Sequence, residues 1–191
     1  MTDHTNKRQA PDRRLPRPFR QGDLDGLCGV YSVVNAIRAL CPEIDSAAAE
    51  WLFSHLVQAL SGLGAEPEYA VTNGIERRHL ARIIRCAINY MTDEYEIGLT
   101  VSRLPKSLRQ STDLQELWDW LGGKISPTSV VILGLGGRHD HWTVAVDITA
   151  QQIRLFDSGE IKVLKRRHCT VGRAATRCSI SPVHLFLIRR R

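Results

Sequence analysis

The sequence predicts an α+β domain in which helices come first and strands follow. Two observations carry this. In the first half apolar residues recur at helical spacing. In the second half they alternate or run continuously, as strands do. With 191 residues and a hydrophobic share of 43%, the chain can bury a core without disulfide staples.

Taken in order, residues 29–40 place Val30, Val33, Val34 and Ile37 on one face, an amphipathic helix that Pro42 closes. Asp45 or Ser46 caps a second helix running to about Gly62, with Leu52, Leu56, Ala59 and Leu63 inward. A third follows Thr72 and Asn73, its inner face being Leu80, Ile83, Ile84, Ala87 and Ile88. Arg77, Arg78, Arg82 and Arg85 fall within an arc of roughly 140° on its other side, either a solvated face or a contact surface for an acidic partner. The period then changes. Ile97, Leu99 and Val101 alternate as a short strand, and Thr112 with Gln115 forms a capping box for a helix over Leu114, Leu117, Trp118 and Leu121. Residues 129–135 are a continuous apolar run, a buried strand. Residues 142–148, 153–156, 161–164 and 183–188 complete an antiparallel sheet of five or six strands.

The chain carries 26 Lys and Arg against 20 Asp and Glu, a net +6. Position matters more than the total. Residues 1–20 hold Lys7, Arg8, Arg13, Arg14, Arg17 and Arg20 against Asp3 and Asp12, a net +4, and Arg189 to Arg191 add +3. Residues 21–188 sum to −1. The charge therefore does not argue for a nucleic-acid-binding core, and no reader motif is visible. Residues 1–20 include Pro11, Pro16 and Pro18 and few apolar residues, so they are expected to be a flexible arm, solubilising or docking to an acidic partner. The folded domain is expected over 21–191.

Five cysteines make an odd count without CxxC spacing, and neither a secretory h-region nor an apolar run of about 20 residues appears. A reducing, cytoplasmic setting is expected.

Chemistry concentrates in two stretches. Residues 21–36 (QGDLDGLCGVYSVVNA) set Cys28 between Gly26 and Gly29, directly before an amphipathic helix. A helix N-terminus presents unpaired N–H groups and positive potential, which favour thiolate over thiol and can hold an oxyanion. Flanking glycines would let a substrate backbone approach. Residues 136–142 form a polar, glycine-rich loop with His141 at the start of a strand, and Asp157 stands at the end of the next. Pairing WTVAVD with QIRLFD in a hairpin brings His141 and Asp157 together although they are sixteen positions apart. That is the arrangement of a base and its orienter. Trp142 walls the site or belongs to the sheet face. His139 is the rival base, but the strand start, Trp142 and the register to Asp157 favour His141. An HxH metal site lacks clear further ligands.

The order Gln21, Cys28 at a helix start, His141 at a strand start and then Asp157 resembles the papain-like cysteine peptidase superfamily. It is most similar to compact bacterial peptidases of the bacteriocin-leader-processing type. The resemblance covers about 21–40 and 130–160. It implies a papain-like fold, with an N-terminal helical half carrying Cys28 and a C-terminal sheet carrying His141 and Asp157. It further implies Cys28 as nucleophile, His141 as general base, Asp157 as orienter and Gln21 as oxyanion donor, with a protein or peptide substrate and no cofactor. The gap from Gln21 to Cys28 is seven positions, one longer than the usual papain-like spacing. Asp25-Gly26-Leu27-Cys28 also resembles the Asp-Gly-x-Cys of ovarian-tumour-type deubiquitinases, which makes Asp25 a loop-shaping candidate. A glutamine deamidase or transglutaminase-like effector would use the same thioester, and an inactive descendant would keep the fold as an interaction module.

Overall fold

The apolar run of residues 129–135 is unbroken because both faces of its strand are buried. A computed structural model describes residues 15–22, 25–62, 67–172 and 177–191. Within it that run belongs to β2 (Ser129–Gly137), one strand of a sheet whose other members are β1 (Leu99–Arg103), β3 (His141–Ile148), β4 (Gln152–Leu155), β5 (Val163–Lys165), β6 (Cys169–Val171) and β7 (Cys178–Arg190). The strand order is β1-β7-β2-β3-β4-β5, antiparallel throughout, with β6 pairing β7 in parallel. Alternation sends Val130 and Ile132 to one face, and Val131, Leu133 and Leu135 to the other.

On the first face lie α1 (Cys28–Leu40), α2 (Ser46–Gly62) and α4 (Arg77–Tyr95), whose apolar stripes share one core with Val144, Phe156 and Phe186. The other face is covered by α5 (Lys106–Arg109) and α6 (Leu114–Gly122) through Leu108, Leu117, Trp118 and Leu121. The α+β class expected from the sequence is therefore the architecture. Among the described residues no helix is long and apolar enough to cross a membrane.

Several local expectations change. The second helix starts where expected, and Asp45 Oδ1 accepts the Ala48 N–H at 2.8 Å. Its inner face uses Leu60 where Ala59 was expected; Leu63 lies outside the described residues. Thr72 and Asn73 end a separate short helix, α3 (Pro67–Asn73), which stops at Gly74 in the left-handed region with φ of 78°. Asp113, not Thr112, caps α6: its Oδ1 accepts the Gln115 N–H at 2.7 Å, leaving the Gln115 side chain to Asp119. The strand expected over 161–164 forms at 163–165, because residues 157–161 are held in a turn around Asp157. Strand β6 was not foreseen; Cys169 in it pairs in register with Cys178, and both thiols are free.

Of the arm expected over 1–20, residues 1–14 lie outside the described residues. The remainder is docked. Leu15 and Phe19 pack on the core of the helical face. Asn35 of α1, fully buried, takes both backbone groups of Phe19, accepting its N–H at 2.9 Å and donating to its carbonyl at 3.0 Å. The Arg38 guanidinium lies 4.4 Å from the Phe19 ring centre. Replacing Asn35 by alanine strands two backbone groups and should cost about 2 kcal/mol. A melting temperature about 5 °C lower, read by calorimetry, is the expected result; an unchanged value would show that the clamp adds nothing.

Candidate active site

The chain before α1 is shaped by Asp25. Its Oδ1 accepts the Leu27 N–H and its Oδ2 the Gly22 N–H, each at 3.0 Å. Gln21 folds onto the same turn, its side-chain amide donating to the Asp25 carbonyl. The Gln21 backbone N–H donates to the Ser158 carbonyl at 2.9 Å. The loop preceding Cys28 is thus tied to the residue that follows Asp157. One of the two N–H groups of the Gln21 amide is spent on this turn.

Two glycines expected to open the approach to Cys28 instead face protein. The Gly26 N–H donates to the Val71 carbonyl, and a Cβ there would meet the Gly74 nitrogen at 2.8 Å. Only glycine allows that contact. Gly29 is buried in α1, where a Cβ would sit 3.5 Å from Ile75 and Leu80. Its place is in the packing of α1 rather than on the cleft.

Helix α1 begins at Cys28 without a side-chain cap. Its first N–H groups, that of Cys28 included, have no partner within the helix. The sulfur-bearing residue is 9% exposed, enough to be reached from the cleft.

His141 and Asp157 meet through the β3–β4 hairpin. Ala145 pairs with Leu155, and the Phe156 N–H donates to the Val144 carbonyl at 2.8 Å. The next residue, Asp157, then lies back along β3 towards its start. His141 Nε2 and Asp157 Oδ1 are 2.8 Å apart, with side chains 15% and 3% exposed. The second carboxylate oxygen accepts the Gly159 N–H at 2.9 Å and the Ile161 N–H at 3.3 Å. Burial alone would raise the Asp157 carboxyl, but the His141 ring and the Gly159 N–H hold it below the ordinary range. Burial likewise opposes charge on His141. Its hydrogen bonds with Asp157 and with Cys28, and their negative charge, outweigh that and raise the imidazole to about 9. At neutral pH the ring is therefore an imidazolium. With Nε2 taken by the carboxylate, Nδ1 is the nitrogen left for the sulfur. The structure thus brings together Cys28, His141 and Asp157.

His139 sits elsewhere. It lies in the β2–β3 turn and accepts the Arg138 Nε–H at 3.1 Å. Burial, the Arg138 charge and His141 keep it below the usual imidazole value. No oxygen of Asp157 bonds it among the described residues.

The sulfur opens onto a cleft of about 530 Å³ between the helical face and the sheet. Its far wall is Trp142, fixed by an Nε1–H bond to the Ile75 carbonyl at 3.0 Å and packed 5.4 Å from the His184 ring. Gln21 does not line this cleft, whereas Arg77, Arg78 and His184 do. The basic stripe expected on α4 is therefore divided. Arg82 and Arg85 stay on the exposed outer face, while Arg77 turns to the cleft and Arg78 pairs with Glu76 at 2.9 Å.

His184 is a cleft residue that sequence reasoning does not find. Its position depends on a bulge: between Leu133↔Leu185 and Leu135↔Ile180, β2 advances two residues while β7 advances five. A Cβ on Gly134 would come 2.6 Å from His184 Cβ and 3.0 Å from Trp142 Cζ3. Lone Gly134 inside an apolar strand was the available signal. Gly134→Ala should therefore cost about 2 kcal/mol through overpacking and displace both rings. Lower denaturant midpoints together with shifted His184 NMR resonances would show it; a variant with neither change would refute the contact.

No protein-family model matches the chain, and no curated protein matches its sequence. Among the described residues no three His, Cys, Asp or Glu side chains gather into a set able to hold a metal ion.

Proposed function

We propose that this chain is a papain-like cysteine hydrolase, a peptidase or isopeptidase acting on a protein or peptide through a thioester. The observation that most supports this reading is the buried His141–Asp157 pair at 2.8 Å with Cys28 beside the same ring. An imidazolium beside a sulfur at a helix start is the pairing a thiol nucleophile requires. A carboxylate that is almost fully buried, yet kept ionised by its partner, suits an orienter.

The proposed steps use only these groups. The Cys28 thiolate attacks the carbonyl carbon, and the oxyanion is held by the Cys28 N–H at the start of α1; Gln21, turned onto the Asp25 loop away from the cleft, is not needed for it. His141 gives its proton to the leaving amine as the C–N bond breaks. Water then attacks the thioester while His141 takes a proton from it. The acid departs, and the proton returned to the ring restores the ion pair.

The test is capture of Cys28 by iodoacetamide at pH 6, mapped by peptide mass spectrometry. An unassisted thiol is under about 1% thiolate at that pH. Capture at least about tenfold faster than in His141→Ala is expected. Equal rates in the two proteins would sink the ion pair, and with it the hydrolase, in favour of an inactive interaction module. Ammonia release from glutaminyl peptides without backbone cleavage would replace hydrolysis of peptides by deamidation.

A further inference from the structure

The cleft beside Cys28 contains a feature that the reaction itself does not use. Arg77, the first residue of α4, and His184, on the bulge of β7, both line it. They come from opposite walls, one from the helical side and one from the sheet. Among the described residues Arg77 has no carboxylate within ion-pair distance. The acids on the rim do not supply one. Glu76 is bound by Arg78 at 2.9 Å, and Asp140 lies exposed in the β2–β3 turn.

His184 is held ready. Gly134 lies directly beneath its Cβ, and Trp142 packs against its ring at 54°. Trp142 is itself anchored to Ile75, the residue two before α4. Ordering these groups costs little on binding because the fold has already done it. The start of α4, a 19-residue helix whose cap residue Glu76 makes no side-chain capping bond, opens on the same cleft and adds partial positive charge.

We propose that Arg77 and His184 form a carboxylate-recognising subsite, so that the protein selects peptides carrying an Asp or Glu side chain close to the attacked carbonyl. This rests on the reading of Cys28 as the nucleophile. A carboxylate held there accepts N–H bonds from the Arg77 guanidinium and from the His184 ring. The same arrangement explains the state of His184 in the free protein. Burial and then the Arg77 charge keep it below the usual imidazole value, hence neutral at pH 7. An anion placed between the two offsets the Arg77 charge and lets His184 take up a proton.

Binding can be separated from chemistry by using Cys28→Ala, in which no thiol is needed. The probes are two capped pentapeptides, acetyl-Ala-Ala-Glu-Ala-Ala-amide and its Gln counterpart, titrated while the His184 imidazole is followed by NMR. The Glu peptide is expected to bind about tenfold tighter than the Gln peptide, and His184 to titrate at higher pH in its presence. Arg77→Met should bring the two affinities together, and Arg77→Lys should restore part of the difference. Equal affinities in the parent protein, a preference that survives Arg77→Met, or no response of His184 at millimolar Glu peptide would each overturn the subsite. Failure of iodoacetamide capture with the Glu preference intact would instead remove the hydrolase and leave an acidic-peptide-binding module.

Discussion

If Cys28 and His141 act as the proposed ion pair, replacing either by alanine is expected to lower peptide turnover by on the order of 10⁴-fold, with no further fall in the double variant. The non-additivity is the informative part. If the two side chains act as one ion pair, removing either destroys the whole device, so the second loss has nothing left to remove. Independent roles, such as a buried structural cysteine and a separately binding histidine, predict losses that multiply. Steady-state rates of the two single variants and the double variant decide between these. Circular dichroism guards against misfolding, which matters because Cys28 also belongs to the buried core of the helical face.

The second large effect concerns Asp157. Asp157→Asn removes the negative charge that, with Cys28, holds the imidazolium up at about 9, and leaves only a neutral amide oxygen as acceptor. The basic limb of kcat, set by loss of the His141 proton needed by the leaving amine, should lie near pH 9 in the parent. It should move down by about one to two units in the variant. The stability change has the same origin. A histidine raised from 6.5 to about 9 contributes fully below pH 6.5, and that contribution fades as pH rises through 9. A carboxyl lowered from 3.8 contributes above that value and is lost as pH falls through its depressed one. The parent should thus be most stable between about pH 4 and 6.5 with respect to this pair. Asp157→Asn should flatten the loss between pH 6.5 and 9. A variant whose basic limb and thermal profile match the parent would show that Asp157 does not govern His141.

Much of the site was readable before any coordinates. Cys28 precedes an amphipathic stretch, which marks a helix start. The alternation of residues 142–148 and 153–156 sets a hairpin that carries Asp157 back towards His141, although a shift between Ala145 and Asp147 adjusts its register. Those are local periodicities, and local periodicity survives in a one-dimensional string. Asn35 was passed over because a polar residue on an apolar helix face has no visible partner in sequence; its partner, Phe19, lies sixteen positions earlier in an irregular segment. The sequence leaves Arg77 on a stripe that is either solvated or a contact surface, and it gives no sign of His184 at the cleft, since neither period nor composition reveals a five-against-two bulge.

The sequence by itself determined the α+β class, the near-neutral body with basic ends, and the three side chains that meet. Its reach ends where position depends on irregular backbone. The bulge opposite Gly134, the turn wrapped around Asp157, and the tie from Gln21 to Ser158 were decided only by tertiary packing. The physical reason is common to all three. Helices and strands follow from repeating patterns along the chain, whereas bulges and turns are chosen by close contacts between residues distant in it. Here those contacts shape the cleft and decide which charged groups face Cys28.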